Sequence, residues 1–271
     1  VREAVARLVP QDKAVLGIAI GKAALAMARG AGPAVRGIAV APQLDGKPLP
    51  LGWTARDAGH PDPDDRSLAA GDALVELVAG AGEDDIVLAL ISGGASALVE
   101  QPAIPLDELR ARVAAFRSAG HSIQELNELR RSLSKIKGGG LAAVSAARVI
   151  TLAVSDVVGD PLHVIGSGPT VAPPGARGAP PLLAAMRGDV AEVVVPMRAF
   201  AEAVRDGLAA RGLVLAFDAQ PLNDDAGALA ELPPGIHWGE PTLVVPDDHG
   251  EGGRAQHLAL LLAQRLRGTD R

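Results

Sequence analysis

Short apolar runs alternate with amphipathic helical patterns along most of the chain, and this alternation restricts the fold more than any other feature. The clearest runs are 14–20, 85–91 and 148–154, and each is followed by glycine or serine. Runs this short and this continuously apolar are typical of parallel strands that are covered by helices on both faces. The sequence therefore predicts an α/β fold built on a parallel sheet.

A stretch rich in proline and glycine, at 171–181, separates two parts of the chain. Because proline fixes its own backbone angle and lacks an N–H donor, we expect neither a helix nor a central strand there. We predict a first domain over residues 1–190 and a second, smaller α/β domain over residues 191–271. The elements predicted for the second domain are strands at 193–195, 213–217 and 242–245 and helices at 197–211 and 255–267.

The composition excludes several classes of function. Lysine and arginine number 26 against 32 acidic residues, and this net charge of -6 argues against a nucleic-acid partner or an anionic membrane surface. There is no cysteine, so the chain has no disulfide, no thiolate metal site and no cysteine nucleophile. No apolar run approaches the length of a membrane span. We expect a soluble, cytoplasmic protein that acts on a small molecule, and the sequence leaves a homodimer open.

Three segments place polar or glycine residues at strand ends, where parallel sheets bind their ligands. The first runs from Gly17 to Lys22 and resembles a phosphate-binding P-loop. It has one residue too few between its glycines, and Ala23 stands where that loop carries serine or threonine. Two interpretations remain open: Lys22 binds an anion at a helix N-terminus, or it is an exposed lysine after a glycine turn.

The second segment, at 91–97, contains two adjacent glycines, Gly93 and Gly94, flanked by Ser92 and Ser96. Backbone N–H groups in such a loop can approach a phosphate closely. The alternative is a tight turn with a serine cap. Because a cap needs only one serine and no double glycine, we favour ligand binding.

The third segment places Asp156 at the end of the run 148–154. A carboxylate in this position can hold Mg²⁺ or accept a substrate proton. Its structural alternative is to cap the next helix, but Pro161 favours Asp160 as that cap. Asp156 is therefore our candidate for the metal ligand or the general base.

A helix predicted at 123–137 carries a polar stripe beside its buried apolar stripe. The polar stripe consists of Asn127, Arg130, Ser134 and Lys137, at helical spacing. Lysines near a helix end also complement its dipole, but that alternative does not account for Asn127 and Arg130. We therefore expect this face to line a cleft.

These segments, in this order, resemble the class II glycerate 2-kinase family. The matching stretches are GKAALAMA (21–28), AGHPDPDD (58–65), LISGGASALVEQP (90–102), NELRRSLSKIKGGGLA (127–142), SDVVGDP with GSGPTV (155–171) and GEPTLVV with GEGGRAQHLAL (239–260). The resemblance implies a Rossmann-like first domain, a smaller second domain and ATP-dependent phosphorylation of D-glycerate at its 2-hydroxyl. It places the functional lysine of the family at Lys22 and its functional arginine at Arg254.

The resemblance and the residue patterns together give a set of expected roles. Lys22, Arg254 and Asp156 are the expected catalytic residues, with Asp156 also the expected Mg²⁺ ligand. The residues expected to bind ATP are Ser92, Gly93, Gly94, Ser96, Lys137, Gly138 and Gly139. The residues expected to bind D-glycerate are Asn127, Arg130, Ser167 and Gly168. His60 is left open between a structural role and a substrate contact.

The chain also departs from the family pattern. Ala255 and His257 follow Arg254 where the family carries an amide and a carboxylate, and Ser132 stands where a histidine is expected. A later glycine- and aspartate-rich motif does not occur in these residues, so the second domain is expected to be truncated. Two other functions therefore stay open: a ligand-binding homologue without turnover, and hydroxypyruvate reduction. The second lacks the dinucleotide fingerprint that it would need after a strand.

Overall fold

The computed structural model describes residues 1–34, 36–119, 123–243, 250 and 254–267. The chain divides into two compact units, Val1–Asp156 with Asp160–Val195, and Val157–Gly159 with Pro196–Arg271. The strands are β1 (Val15–Ile20), β2 (Arg36–Ala41), β3 (Trp53–Asp57), β4 (Ile86–Ser92), β5 (Arg148–Val154) and β6 (Val190–Val195).

The helices are numbered in chain order. They are α1 (Arg2–Leu8), α2 (Ala24–Ala31), α3 (Asp65–Ala79), α4 (Ala95–Leu98), α5 (Leu106–Ser118), α6 (Ile123–Ser132), α7 (Gly140–Ala143), α8 (Ala179–Arg187), α9 (Met197–Ala209), α10 (Ala226–Ala230) and α11 (Arg254–Leu266), with a 3-10 turn at Ile165–Ser167. None of the helices in the described part of the chain is long and apolar enough to cross a membrane.

All six strands of the first unit are parallel, in the order β3-β2-β1-β4-β5-β6. The predicted α/β fold with a Rossmann-like sheet is therefore confirmed. In this order the chain leaves β1 toward one side of the sheet and later enters β4 on its other side. Connections that diverge in this way open a crevice at the carboxyl ends of the two strands, where ligands bind in open α/β sheets.

The core of this unit is aliphatic and lies on the sheet. Leu88 and Leu90 of β4 are buried, as are Ile150 and Leu152 of β5, and they belong to one cluster with residues of α1 and α2. Strands without a solvent-facing side read as continuous apolar runs, which explains why β1, β4 and β5 are predicted within two residues of their ends.

Two irregular-looking stretches contain elements that the sequence does not predict. Strand β3 pairs with β2 inside the proline-rich connection 41–66. Helix α8 begins within 171–181, with Pro180 and Pro181 in its first turn. Proline is tolerated there because the first N–H groups of a helix have no partner within the helix, so the prediction that this stretch contains no helix is wrong.

The helix predicted at 123–137 ends at Ser132. Its Oγ donates to the carbonyl of Leu129 at 2.8 Å, and the chain then runs beside residues 101–103. There Ala103 N–H donates to Leu133 and Lys135 N–H donates to Gln101, at 2.8 and 2.9 Å. Ser134 and Lys137 consequently do not share a helix face with Asn127 and Arg130, and this part of the prediction is wrong.

The strands predicted for the second domain differ from the elements that the structure has in those segments. The segment predicted at 193–195 belongs to β6 of the first unit, because it pairs with β5. Among the described residues, the segment predicted at 213–217 contains a single bridge, between Phe217 and Ile236, and Thr242 makes a similar bridge with Asp225. Residues 244 and 245 of the strand predicted at 242–245 lie outside the described residues. Helices α9 and α11 lie where they are predicted. The division at residue 190 remains a prediction.

Trp53 packs so closely on β1 that the neighbouring glycine cannot carry a side chain. A Cβ added to Gly17 would lie 2.4 Å from the indole ring, and the ring is fixed because its Nε1 donates to the Gly32 carbonyl at 2.9 Å. We expect Gly17→Ala to lower the free energy of unfolding by about 1–3 kcal/mol, the cost of overpacking a core. Urea denaturation followed by Trp53 fluorescence in a Trp238→Phe background measures it.

Gly82→Ala is the matched control, because an added Cβ there meets its nearest neighbour at an ordinary contact distance of 3.5 Å. Equal urea midpoints for Gly17→Ala and Gly82→Ala would contradict the close packing of Trp53 on Gly17.

Candidate active site

The register of the central strands brings three segment ends together. Ile20 pairs with Ile91 across β1 and β4, and Ile91 pairs with Ala153 across β4 and β5. Because the strands are parallel and their last residues are in register, the residues that follow them lie at the same edge of the sheet. Lys22 and Asp156 are among these residues, which the sequence predicts as parts of one site.

Gly21 and Ser92 hold the ends of β1 and β4 against each other. A Cβ on Gly21 would lie 2.1 Å from Ser92 Oγ and 2.5 Å from its carbonyl oxygen, so only glycine fits. The Ser92 hydroxyl accepts from Ala23 N–H at 3.1 Å and lies 3.4 Å from the Ile20 carbonyl oxygen, to which it donates. Ser92 is buried, and these backbone contacts leave its predicted role in ATP binding without support.

Side chains from three elements converge on Gly93 and Gly94, and we call Lys22, His60, Gly93, Gly94 and Asp156 the diglycine cluster. A Cβ on Gly93 would lie 1.8 Å from Asp156 Oδ2, so the carboxylate lies directly against this backbone. A Cβ on Gly94 would lie 3.2 Å from the imidazole of His60 and 3.3 Å from Lys22 Cγ. Lys22 N–H donates to the Gly93 carbonyl at 2.9 Å. The cluster lies at the switch between β1 and β4.

The charged groups of the diglycine cluster are open to solvent. Lys22 and Asp156 are exposed, and among the described residues neither side chain has a hydrogen-bond or ion-pair partner. Partial burial lowers the pKa of His60, and the nearby ammonium of Lys22 lowers it further, against the opposing charges of Asp62 and Asp156. One cation, one anion and a largely neutral imidazole thus surround the two glycines.

Asp64 builds the loop that carries His60. Its carboxylate accepts from the N–H groups of Gly59 and Ser67, at 3.0 and 3.1 Å, and Ser67 Oγ accepts from Asp64 N–H in return. This capping box starts α3. Burial raises the pKa of Asp64, but hydrogen bonds from Arg66, Ser67 and Gly59 outweigh it and lower the pKa to about 2.

We expect Asp64→Ala to lower the free energy of unfolding by about 1–2 kcal/mol at pH 7, as for other helix caps. A carboxyl whose pKa is lowered by folding stabilises the fold above its unfolded pKa, and that stabilisation is lost as the pH falls toward 2. The difference in free energy of unfolding between Asp64→Ala and the wild type should therefore become smaller below pH 4. Thermal unfolding across pH measures it, and Asp65→Ala, next to the cap, is the control. A difference that is independent of pH would contradict the ionic role.

The remaining glycines and serines of the predicted site pair with one another. Gly138 N–H donates to the Ser167 carbonyl at 3.0 Å, and Gly139 N–H donates to the Gly168 carbonyl at 2.7 Å. The hydroxyls of Ser96 and Ser167 lie 2.8 Å apart. These contacts join residues 138–140, which we call the triglycine loop, to α4, directly after the diglycine cluster. They occupy the N–H groups of Gly138 and Gly139, two of the residues expected to bind ATP, so this group is better described as a support for the site.

Lys137 forms a buried ion pair with Glu100. Both side chains are almost fully buried, and Ser134 Oγ also donates to the Glu100 carboxylate. Burial lowers the pKa of Lys137, whereas the carboxylate of Glu100 opposes that shift. An ammonium paired in this way is not available to ATP. Glu100 is not identified from the sequence, although an acidic residue directly after the apolar residues 97–99 is a signal that could have indicated it.

Asn127 and Arg130 lie one turn apart on α6. Asn127 is 7% exposed, and its amide has no hydrogen-bond partner among the described residues. Arg130 is half-buried, and burial and the nearby Arg117 lower its pKa while Asp62 and Glu100 oppose that shift. An arginine remains protonated under such conditions. This face of α6 therefore offers a charged donor and an amide that have no hydrogen-bond partner in the described part of the chain.

Arg254 is the first residue of α11 and belongs to the second unit, whereas Lys22 belongs to the first. The catalytic role expected for Arg254 remains a prediction.

The chain matches a known protein family over most of its length. A family model described as a domain of unknown function, DUF4147, matches residues 2–187. The chain belongs to this family. A glycerate 2-kinase from Pyrococcus horikoshii is 42% identical over 162 residues, which are 58% of this chain and 37% of that protein. A protein from Agrobacterium vitis, named as a hydroxypyruvate reductase, is 46% identical over 121 residues, 44% of this chain and 28% of that protein.

A solved structure resembles the chain over most of its length. The crystal structure of a glycerate kinase from Thermotoga maritima has a TM-score of 0.73 and 26% identity, covering 99% of this chain and 77% of that chain. The resemblance to glycerate kinases predicted from the motifs is confirmed. The curated relatives above are matched over well under half of their own length.

Proposed function

We propose that this protein is a glycerate 2-kinase, a transferase that moves the γ-phosphoryl group of ATP to the 2-hydroxyl of D-glycerate. The observation that carries the proposal is the diglycine cluster, which brings Lys22 and Asp156 together at the switch between β1 and β4. Relatives named as glycerate kinases support the substrate. A cytoplasmic location, where ATP is available, is part of the proposal.

In the proposed reaction, the 2-hydroxyl oxygen of glycerate forms a bond to the γ-phosphorus while the bond from that phosphorus to the leaving ADP oxygen breaks. Such transfer depends on positioning and on neutralising negative charge on the phosphoryl oxygens. Lys22 provides a cation without a competing partner among the described side chains. The Asp156 carboxylate lies against Gly93, but Gly94 has no side chain of its own and lies between His60 and Lys22, so a phosphoryl group can approach its backbone closely.

Asp156 fits two roles, and both stay in the proposal: it accepts the hydroxyl proton, or it holds Mg²⁺. Mg²⁺ typically keeps several waters and binds one or two carboxylates together with substrate phosphates. The exposed carboxylate of Asp156 fits that pattern, and the described residues contain no cluster of three or more metal-binding side chains. When bound, Mg²⁺ would neutralise phosphate charge.

On the acceptor side, Arg130 and Asn127 are proposed to bind D-glycerate. A guanidinium pairs well with a carboxylate, and the amide of Asn127, which has no partner among the residues that the structure describes, suits a hydroxyl. Arg254 is proposed as a second cation for the transferred group. Ser167 and Gly168 are proposed to support the site, because their carbonyls accept hydrogen bonds from the triglycine loop.

The test is incubation of the protein with D-glycerate, ATP and Mg²⁺, with ³¹P NMR to distinguish 2-phosphoglycerate from its 3-isomer. Formation of the 2-isomer above a blank without protein is the expected result. A folded protein that gives no product contradicts the proposal.

A second candidate, ligand binding without turnover, is favoured by Ala255 and His257, which stand where the resemblance implies an amide and a carboxylate. Calorimetry separates the two, because this candidate predicts binding of ATP or glycerate with no product. Tight binding of NADH or NADPH would instead support hydroxypyruvate reduction.

A further inference from the structure

The imidazole of His60 lies at the centre of the proposed site. Its Cδ2 and Nε2 would both lie 3.2 Å from a Cβ on Gly94, and Lys22 Cγ would lie 3.3 Å from the same point. The ring and the lysine stem thus flank one glycine. This arrangement depends on the loop 58–64, which connects β3 to α3.

The imidazole does not hold that loop in place. Gly59 N–H is bound by Asp64, Arg110 Nε donates to the Pro63 carbonyl at 2.7 Å, and Arg117 pairs with Asp62 at 3.3 Å. The side chain of His60 is exposed, and within the described ranges it has no hydrogen-bond partner of its own. A ring fixed by a rigid loop, with its polar atoms unused, is arranged to contact a ligand.

The chemistry of the surroundings identifies the ligand class. Lys22 attracts negative charge, and a histidine ring carries at least one N–H donor in either protonation state. An oxyanion beside Gly94 would accept from both groups. Asp62 and Asp156 are the acidic groups that face the ring, and Arg117 already pairs with the first of them.

We propose that His60 donates a hydrogen bond to an oxyanion of the ligand bound at the diglycine cluster, beside Lys22. The oxyanion belongs to a phosphoryl group or to the carboxylate of the hydroxy acid, and its identity rests on the proposed function. His60 thereby contributes to ligand affinity and orientation.

The test uses binding, so that it does not depend on turnover. The full chain, labelled with ¹⁵N-histidine, is titrated separately with D-glycerate and with inorganic phosphate, and the imidazole signals are followed by NMR. His60→Asn identifies the signals of His60 by their loss. We expect at least one probe to shift these signals; the probe that does so tells whether the contact is to a carboxylate or to a phosphoryl group.

The variants give a second readout. His60→Ala should weaken binding of that probe roughly tenfold, as expected for a hydrogen bond to a charged group, and His60→Asn, which retains a donor, should restore part of it. His163→Asn, a histidine outside the diglycine cluster, is the control and should bind like the wild type.

Two results would overturn the proposal: binding of both probes with the His60 signals unmoved, or no binding of either probe by the wild type. Binding with shifted His60 signals but no 2-phosphoglycerate in the kinase assay would instead uphold this contact and refute the proposed function.

Discussion

Replacing Lys22 with alanine is expected to lower kcat for phosphorylation of D-glycerate by about 100- to 1,000-fold, the usual cost of removing one preorganised group that stabilises transition-state charge. The backbone N–H of Lys22 donates to the Gly93 carbonyl, and its side-chain Cγ lies beside Gly94. The side chain that carries the ammonium therefore extends from a fixed backbone position. Because its side chain lacks an ion-pair partner in the described structure, the variant should unfold like the wild type. Steady-state kinetics and thermal unfolding measure the two effects.

Lys13→Ala is the matched control. Lys13 pairs with Asp84 at 3.1 Å, just before β1, at the amino ends of the strands and so at the opposite edge of the sheet from Lys22. Its loss should leave kcat unchanged. Lys22→Arg keeps the charge with a different shape and should recover part of the rate. A wild-type kcat in Lys22→Ala would remove this residue from the site.

The largest effect on stability is expected for Lys137→Met. The substitution keeps the buried volume but leaves the Glu100 carboxylate without its cation, and breaking one side of a buried ion pair typically costs about 3–5 kcal/mol. Ser134 would still donate to Glu100, so the loss should not exceed this range. Urea denaturation followed by Trp53 fluorescence, with Trp238 replaced by phenylalanine, isolates the first unit.

The pH dependence of this loss identifies its cause. In Lys137→Met a buried carboxylate is left without its cation, and a charged group in that position opposes folding. The variant should therefore be relatively more stable at low pH and lose that stability as the pH rises. Adding Glu100→Gln to Lys137→Met should recover much of the loss at pH 8. If the loss in free energy of unfolding is equal at pH 5 and pH 8, and Glu100→Gln does not relieve it, the cause is lost packing and not the unpaired charge.

The sequence predicts the parts of the fold that follow from local patterning. Strands β1, β4 and β5 are continuous apolar runs, and α3 and α5 are amphipathic, so their type and their approximate ends can be read directly. Lys22 and Asp156 could be placed at one edge because parallel strands end together. Strand β3 could not be predicted, because its residues between Trp53 and Asp57 are exposed and surrounded by proline and glycine.

The site residues that the sequence misjudges are those whose partners are distant in the chain. Ser92 is separated from Ala23 by 69 positions and Lys137 from Glu100 by 37, and no periodicity indicates such pairings. The stripe on helix 123–137 fails for the same reason, since pairing with residues 101–103 competes with further helix. A polar residue in a conspicuous motif can thus serve the protein's own backbone instead of a ligand.

Strand β6 has a practical consequence for anyone who wishes to express the first unit by itself. A chain cut after residue 190, at the boundary that the sequence suggests, would retain β5 but lose nearly all of its neighbour, Val190–Val195. The hydrogen-bonding groups of an apolar strand would then line an open edge of the sheet, and such edges recruit strands from other molecules. A cut after Val195 keeps β5 paired with β6, so a fragment that retains these five further residues is expected to aggregate less.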